Sequence, residues 1–69
     1  IKYDLPQNVP VKLQVFDLSG RLVQTLVNEN KSAGHYSAVW SAQNASSGIY
    51  LIRLNAGDFI AVKKCVKLK

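Results

Sequence analysis

The chain has 69 residues, is 48% hydrophobic and carries a formal charge of +5, which fits one domain near the lower size limit for an unaided core. Ordering it costs roughly 100 kcal/mol at about 1.5 kcal/mol per residue, so nearly every apolar side chain must face inward, and little surface is left for an enlarged catalytic pocket. A single cysteine cannot close an internal disulfide, and no apolar run is long enough to cross a membrane as a helix.

Short runs rich in Val, Ile, Tyr and Phe recur between Gly, Asn, Ser and Asp clusters, the rhythm of a small antiparallel sandwich. Ile1 to Leu5 reads as a first strand ended by Pro6. Val11, Leu13 and Val15 alternate with Lys12 and Gln14 in a second, half-buried strand. Asp17-Leu18-Ser19-Gly20 fits a tight hairpin, with Asp at the first position of a type I turn and Gly supplying the positive φ that follows. Arg21 to Asn28 could line one side of a helix through Leu22, Val23, Leu26 and Val27. The β-branched Val23, Thr25 and Val27 and the turn before them favour a strand.

Asn28 to Gly34 reads as a polar loop. Tyr36, Ala38 and Trp40 then share one face of a strand, opposite Ser37, Val39 and Ser41, and Ser41 to Gly48 reads as a second loop. Ile49 to Leu54 is a strong strand, and Asn55-Ala56-Gly57-Asp58 fits a four-residue hairpin connection. The last strand runs from Phe59 towards Leu68, with Ile60, Val62, Val66 and Leu68 on one face. Lys64 interrupts that face, which calls for a snorkelling stem or a bulge. Together these elements predict an all-β fold, a small immunoglobulin-like antiparallel β-sandwich of six to seven strands.

Four of the nine basic residues, Lys63, Lys64, Lys67 and Lys69, stand in the last seven positions. Such a tip attracts an anionic partner, or it shields an edge strand against sheet-to-sheet aggregation. Catalytic chemistry is poorly supplied. His35 and Cys65 lie on different predicted strands, and the carboxylates of Asp4, Asp17, Glu29 and Asp58 sit mostly at turns or on the surface, so no nucleophile has a positioned base. Cys65 reads as a small core hydrophobe. No metal-ligand spacing, phosphate loop or other cofactor signature is present. The lysines cluster at the end while the aromatics lie within strands, a separation that argues against a nucleic-acid surface. Trp40 reads as a core plug, with a sugar-stacking platform beside Tyr36 as the alternative.

Several segments together carry a resemblance: Val15-Phe16-Asp17-Leu18-Ser19-Gly20-Arg21-Leu22-Val23; Ala33-Gly34-His35 with Trp40; Ser47-Gly48-Ile49-Tyr50 with Arg53-Leu54 and Ala56-Gly57; and the lysine-rich end. In this order and spacing the chain resembles the C-terminal sorting domains, type A, of proteins exported through the type IX (Por) secretion system. Asp17, Gly20, Arg21, Gly34, Trp40, Gly48, Tyr50 and Gly57 match the family's structural motif positions.

The resemblance implies a β-sandwich at the end of a larger secreted protein, read at the outer membrane by the translocation machinery. It implies later removal by a sortase-like peptidase that can join the N-terminal cargo to anionic lipopolysaccharide. The path leads from the periplasm to the cell surface or medium of a Gram-negative bacterium, with no enzymatic role for the domain itself. Lys63, Lys64, Val66, Lys67, Leu68 and Lys69 correspond to the segment most needed for export, although the family more usually has an apolar residue at position 67.

The absence of methionine and the start at Ile1 predict a piece cut from a longer chain, and the resemblance implies that residues 1–69 are its single sorting domain. The alternatives are an immunoglobulin-like accessory module that binds polysaccharide or spaces domains, and an assembly module like the similar sandwich of flagellar hook-capping proteins.

Overall fold

The computed structural model describes residues 1–40 and 46–68. Within them the chain forms six strands and no helix: β1 (Lys2–Leu5), β2 (Val9–Asp17), β3 (Leu22–Lys31), β4 (Gly34–Ser37), β5 (Gly48–Ala56) and β6 (Phe59–Lys67). They make two antiparallel sheets, a small one of β1 and β4 and a larger one in the order β3-β2-β5-β6. The expected all-β architecture is therefore present.

The core lies between the sheets. Val11, Leu13 and Val15 of β2 are at most 2% exposed, and they meet Tyr50, Ile52 and Ala56 of β5 and Tyr3 and Leu5 of β1. Strand alternation explains the set. Val11, Leu13 and Val15 stand directly opposite Ala56, Leu54 and Ile52, so one face of the two central strands points at the small sheet. Burying each such aliphatic side chain contributes about 1.5–3 kcal/mol.

The Arg21–Asn28 segment is a strand, and its helix-like pattern has a physical cause. The register against β2 slips between Leu13 and Gln14, and again between Val15 and Phe16. The first slip leaves Leu26 without an opposite residue, and both Leu26 and Val27 pack on the core. A bulge that turns two consecutive residues inward imitates the doublets of an amphipathic helix.

Three local expectations are corrected. Most of the expected loop from Asn28 to Gly34 is strand, because Asn28, Glu29, Asn30 and Lys31 pair with Lys12, Val11, Pro10 and Val9. An edge strand with one wet side tolerates polar residues. The connection between β5 and β6 has two residues, not four, because Ala56 pairs with Phe59 around Gly57 and Asp58.

The third correction concerns β6. It pairs with β5 without a slip, so Ile60, Val62, Lys64 and Val66 share the outer face while Ala61, Lys63, Cys65 and Lys67 share the inner one. Lys64 needs no bulge, because the apolar row it interrupts is the solvent row.

Beyond Ser37, where β4 ends, the backbone stays tied to the start of the chain. Ala38 N–H donates to the Ile1 carbonyl at 2.8 Å, and the Ile1 backbone nitrogen donates to the Ala38 carbonyl at 3.0 Å. Tyr36, Ala38 and Trp40 are half-buried against the core, whereas Ser37 and Val39 are exposed, as expected. Ser41, most of the second loop and Lys69 lie outside the described residues.

Candidate recognition surface

The Asp17–Arg21 segment is a hairpin organised by one carboxylate. The Gly20 N–H donates to the Asp17 carbonyl at 3.1 Å, and the Asp17 N–H donates to the Arg21 carbonyl at 3.0 Å. Asp17 Oδ1 accepts from the Ser19 hydroxyl at 2.6 Å, the Ser19 N–H at 2.9 Å and the Arg21 N–H at 3.0 Å. The Ser19 hydroxyl first, then the Arg21 N–H, hold the Asp17 carboxyl below its ordinary range. Gly20 has φ of 92°, the positive value that closes a type I turn into the next strand. The motif residues Asp17 and Gly20 thus shape a turn, and the exposed Arg21 side chain lies 3.5 Å from the Asp17 carboxylate.

Two further segments share one construction. In Ser32-Ala33-Gly34-His35-Tyr36 the Tyr36 hydroxyl donates to the Ser32 carbonyl at 2.6 Å, and in Ser46-Ser47-Gly48-Ile49-Tyr50 the Tyr50 hydroxyl donates to the Ser46 carbonyl at 2.6 Å. Each tyrosine bonds back to the backbone four residues upstream and so anchors the start of its strand. The Tyr36 ring stacks on Tyr3 at 5.6 Å, with the Lys31 ammonium 4.7 Å from its centre. The Tyr50 ring meets Trp40 edge-on at 4.9 Å. Trp40 and Tyr36 are therefore each engaged by a different partner within the fold. The recurring Ser-x-Gly-x-Tyr was available in the sequence as the signal for this device.

The basic residues of β6 do not form one ribbon. Lys63 and Lys67 stand opposite Ile52 and Gly48 on the inner side, while Lys64 and Val66 stand opposite Leu51 and Ile49 on the outer side. Leu68 follows the strand and is highly exposed. Among the described residues β6 pairs with β5 alone, so its other edge borders the sheet. The strand thus offers a basic edge flanked by two different faces.

His35 and Cys65 are on different sheets. Cys65 is half-buried against the core beside Tyr50. His35 Nδ1 lies 2.6 Å from Asp4 Oδ1, joining the directly opposed pair of β4 and β1. That hydrogen bond, and then the carboxylate charge, push the His35 pKa up. Lys31 is raised by its hydrogen bond to Glu29, 3.0 Å away. Among the described residues no three His, Cys, Asp or Glu side chains stand together as metal ligands would. The arrangement fastens strands and presents surfaces.

No curated protein and no solved structure matches the chain. Residues 1–68, however, match the family described as the secretion system C-terminal sorting domain. The match spans nearly every residue, including the Asp17 hairpin, both Ser-x-Gly-x-Tyr segments and the whole of β6. The chain belongs to the Por secretion system C-terminal sorting domains, non-enzymatic signals that mark a cargo for secretion in Gram-negative bacteria.

Proposed function

We propose that residues 1–69 belong to a single type A sorting domain carried behind a cargo, and that β6 is the part the outer-membrane translocation machinery grips. The observation that supports this most is the edge position of β6. Its backbone borders the sheet, and lysines stand on both sides of the strand. An edge of this kind can add to a receptor's sheet, with alternate side chains giving specificity and the lysines giving electrostatic steering.

Lys63, Lys64, Val66, Lys67, Leu68 and Lys69 are the recognition residues of this reading. After transit from the periplasm, a sortase-like peptidase cuts before Ile1 and can join the cargo to anionic lipopolysaccharide, so the cargo ends at the cell surface or in the medium.

The test is a periplasmic reporter fused ahead of residues 1–69 in a host with this secretion system. The intact fusion should reach the surface or medium. A Lys63→Glu/Lys64→Glu variant that stays folded should accumulate in the periplasm. A reporter that remains periplasmic with the unaltered domain refutes the reading, and full export of the charge-reversed variant removes the lysines from it.

A further inference from the structure

Among the described residues nothing forms a second layer over the outer face of the four-stranded sheet, yet one part of that face is an apolar patch. Leu22, Phe16 and Leu51 stand side by side across β3, β2 and β5, with Lys64 next on β6. One row on, Gln14, Arg53 and Val62 align, and Val66 sits beside Ile49. Leu22, Val62 and Val66 are each more than half exposed. Exposed apolar patches beyond a few hundred Å² mark interaction sites on small proteins. In a domain this short, side chains kept out of the core are a cost the fold does not otherwise explain.

The charges on this face are mainly cationic. Lys12, Arg53 and Lys64 project from it, and among the acidic residues Asp17 alone reaches its groove, with its carboxylate already accepting from Ser19 and Arg21. Asp4 is on the small sheet, Glu29 pairs with Lys31, and Asp58 is in a turn. A shallow groove of about 270 Å³ runs over the face between Phe16, Leu18, Leu51, Arg53 and Val62, with Asp17 and Gly20 of the hairpin at its end. It places an arginine among apolar walls, a setting suited to an apolar side chain with a carboxylate beside it. The Arg53 Nε–H donates to Asn55 Oδ1 at 3.1 Å, so the side chain is braced along its own strand.

We infer that this outer face docks a partner protein surface on which apolar side chains alternate with carboxylates. A second copy of the chain would bring cation against cation. A bilayer would wet the whole face and would have no use for one walled groove containing Arg53. Four strands at about 4.8 Å spacing and nine residues at about 3.3 Å rise give roughly 500 Å² per partner. The total of roughly 1,000 Å² is at the lower bound for a specific interface, the size of a contact that forms and releases. The inference rests on the sorting role for its biological partner, and it adds a second docking surface distinct from the β6 edge.

The experiment titrates the isotope-labelled chain with two synthetic β-hairpins, one alternating Leu with Glu and the other Leu with Lys. Only the Glu hairpin should bind, with backbone shifts concentrated on β2, β5 and β6. Arg53→Glu/Val62→Glu, checked for native melting, should weaken it at least about tenfold, in line with the loss of a charge-assisted contact. The inference is overturned by equal binding of both hairpins, by binding to neither, by binding to anionic phosphatidylglycerol vesicles in place of the hairpin, or by dimerisation through this face.

The same folded variant is then placed behind the exported reporter. Loss of export supports the inference, and full export with hairpin binding abolished overturns it. Failure of the unaltered domain to export the reporter counts against the sorting role instead, and the hairpin titration still decides the face.

Discussion

The two faces of the four-stranded sheet are built from the same kinds of residue and have opposite fates. On the inner face Val11, Leu13 and Val15 are sealed beneath Tyr3 and Leu5. On the outer face Leu22, Val62 and Val66 remain in water, although each is as apolar as its inner counterparts. Apolar alternation therefore says that a strand has an apolar face, while the covering layer decides whether that face is core. Among the described residues the covering strands are β1 and β4, and they serve one side.

The sharpest contrast is between Leu13→Ala and Val62→Ala. Leu13 is 1% exposed, and truncating a fully buried leucine costs about 2–5 kcal/mol. A domain of this size holds only about 3–5 kcal/mol in total, so the variant should be largely unfolded. Val62 is 55% exposed, and its truncation should cost under about 1 kcal/mol, the range of ordinary surface substitutions. Urea melts followed by Trp40 fluorescence measure both, and equal midpoints would erase the distinction between the faces.

The next effect concerns the turn that assigns β6 its faces. Gly57 has φ of 60° and Asp58 has no positive φ, the pattern of a two-residue type II′ turn. The Gly57 N–H also donates to the Pro10 carbonyl at 3.1 Å. Because Phe59 must then pair with Ala56, every odd residue of β6 points inward and every even one outward. A Cβ at Gly57 would meet Val9 Cγ1 at 3.2 Å, whereas one at Gly20 would meet nothing within 4 Å. Both sites carry the left-handed cost of about 1–2 kcal/mol. Gly57→Ala should therefore destabilise the domain more than Gly20→Ala, by the packing shift Val9 must make. The reverse order in paired urea melts would remove Gly57 as the residue that sets the register.

This turn also marks where sequence reading stopped. The all-β class, the Asp17 hairpin and the strands β1, β2 and β5 were legible, because alternation and turn residues there agree with the final packing. β6 was not fully legible. Ile60, Val62 and Val66 share a face as read, while Leu68 lies past the end of the strand; which face is inner depends on a one-residue choice of turn length, and alternation is blind to that. β3 hid its bulges as helical doublets, and its polar end at Asn28 to Lys31 looked like loop because pairing with β2 leaves no apolar trace. The lysines of the recognition segment were visible as a cluster. Their division between two faces follows only from the register.

The smallest expected effect tests what holds the cover in place. His35 and Asp4 are opposed across β4 and β1, and their side chains meet at 2.6 Å in a highly exposed position. The His35 pKa is raised by the hydrogen bond to Asp4 and then by its charge. A group raised on folding contributes stability that is whole below its unfolded value, about 6.5, and is lost as pH climbs through the folded value. The domain should therefore lose a small increment of stability on passing upward from about pH 6, and Asp4→Asn should flatten that step by removing its cause. Solvent screening keeps the step small. Asp17 acts at the other end of the scale. Its lowered carboxyl contributes above the ordinary value of about 3.9 and loses that contribution as pH falls through the folded value, a window below that of His35. Melts of the two proteins from pH 3 to 9 separate the contributions, and parallel curves between pH 6 and 8 would show that the His35–Asp4 contact does not fasten the small sheet over the inner face.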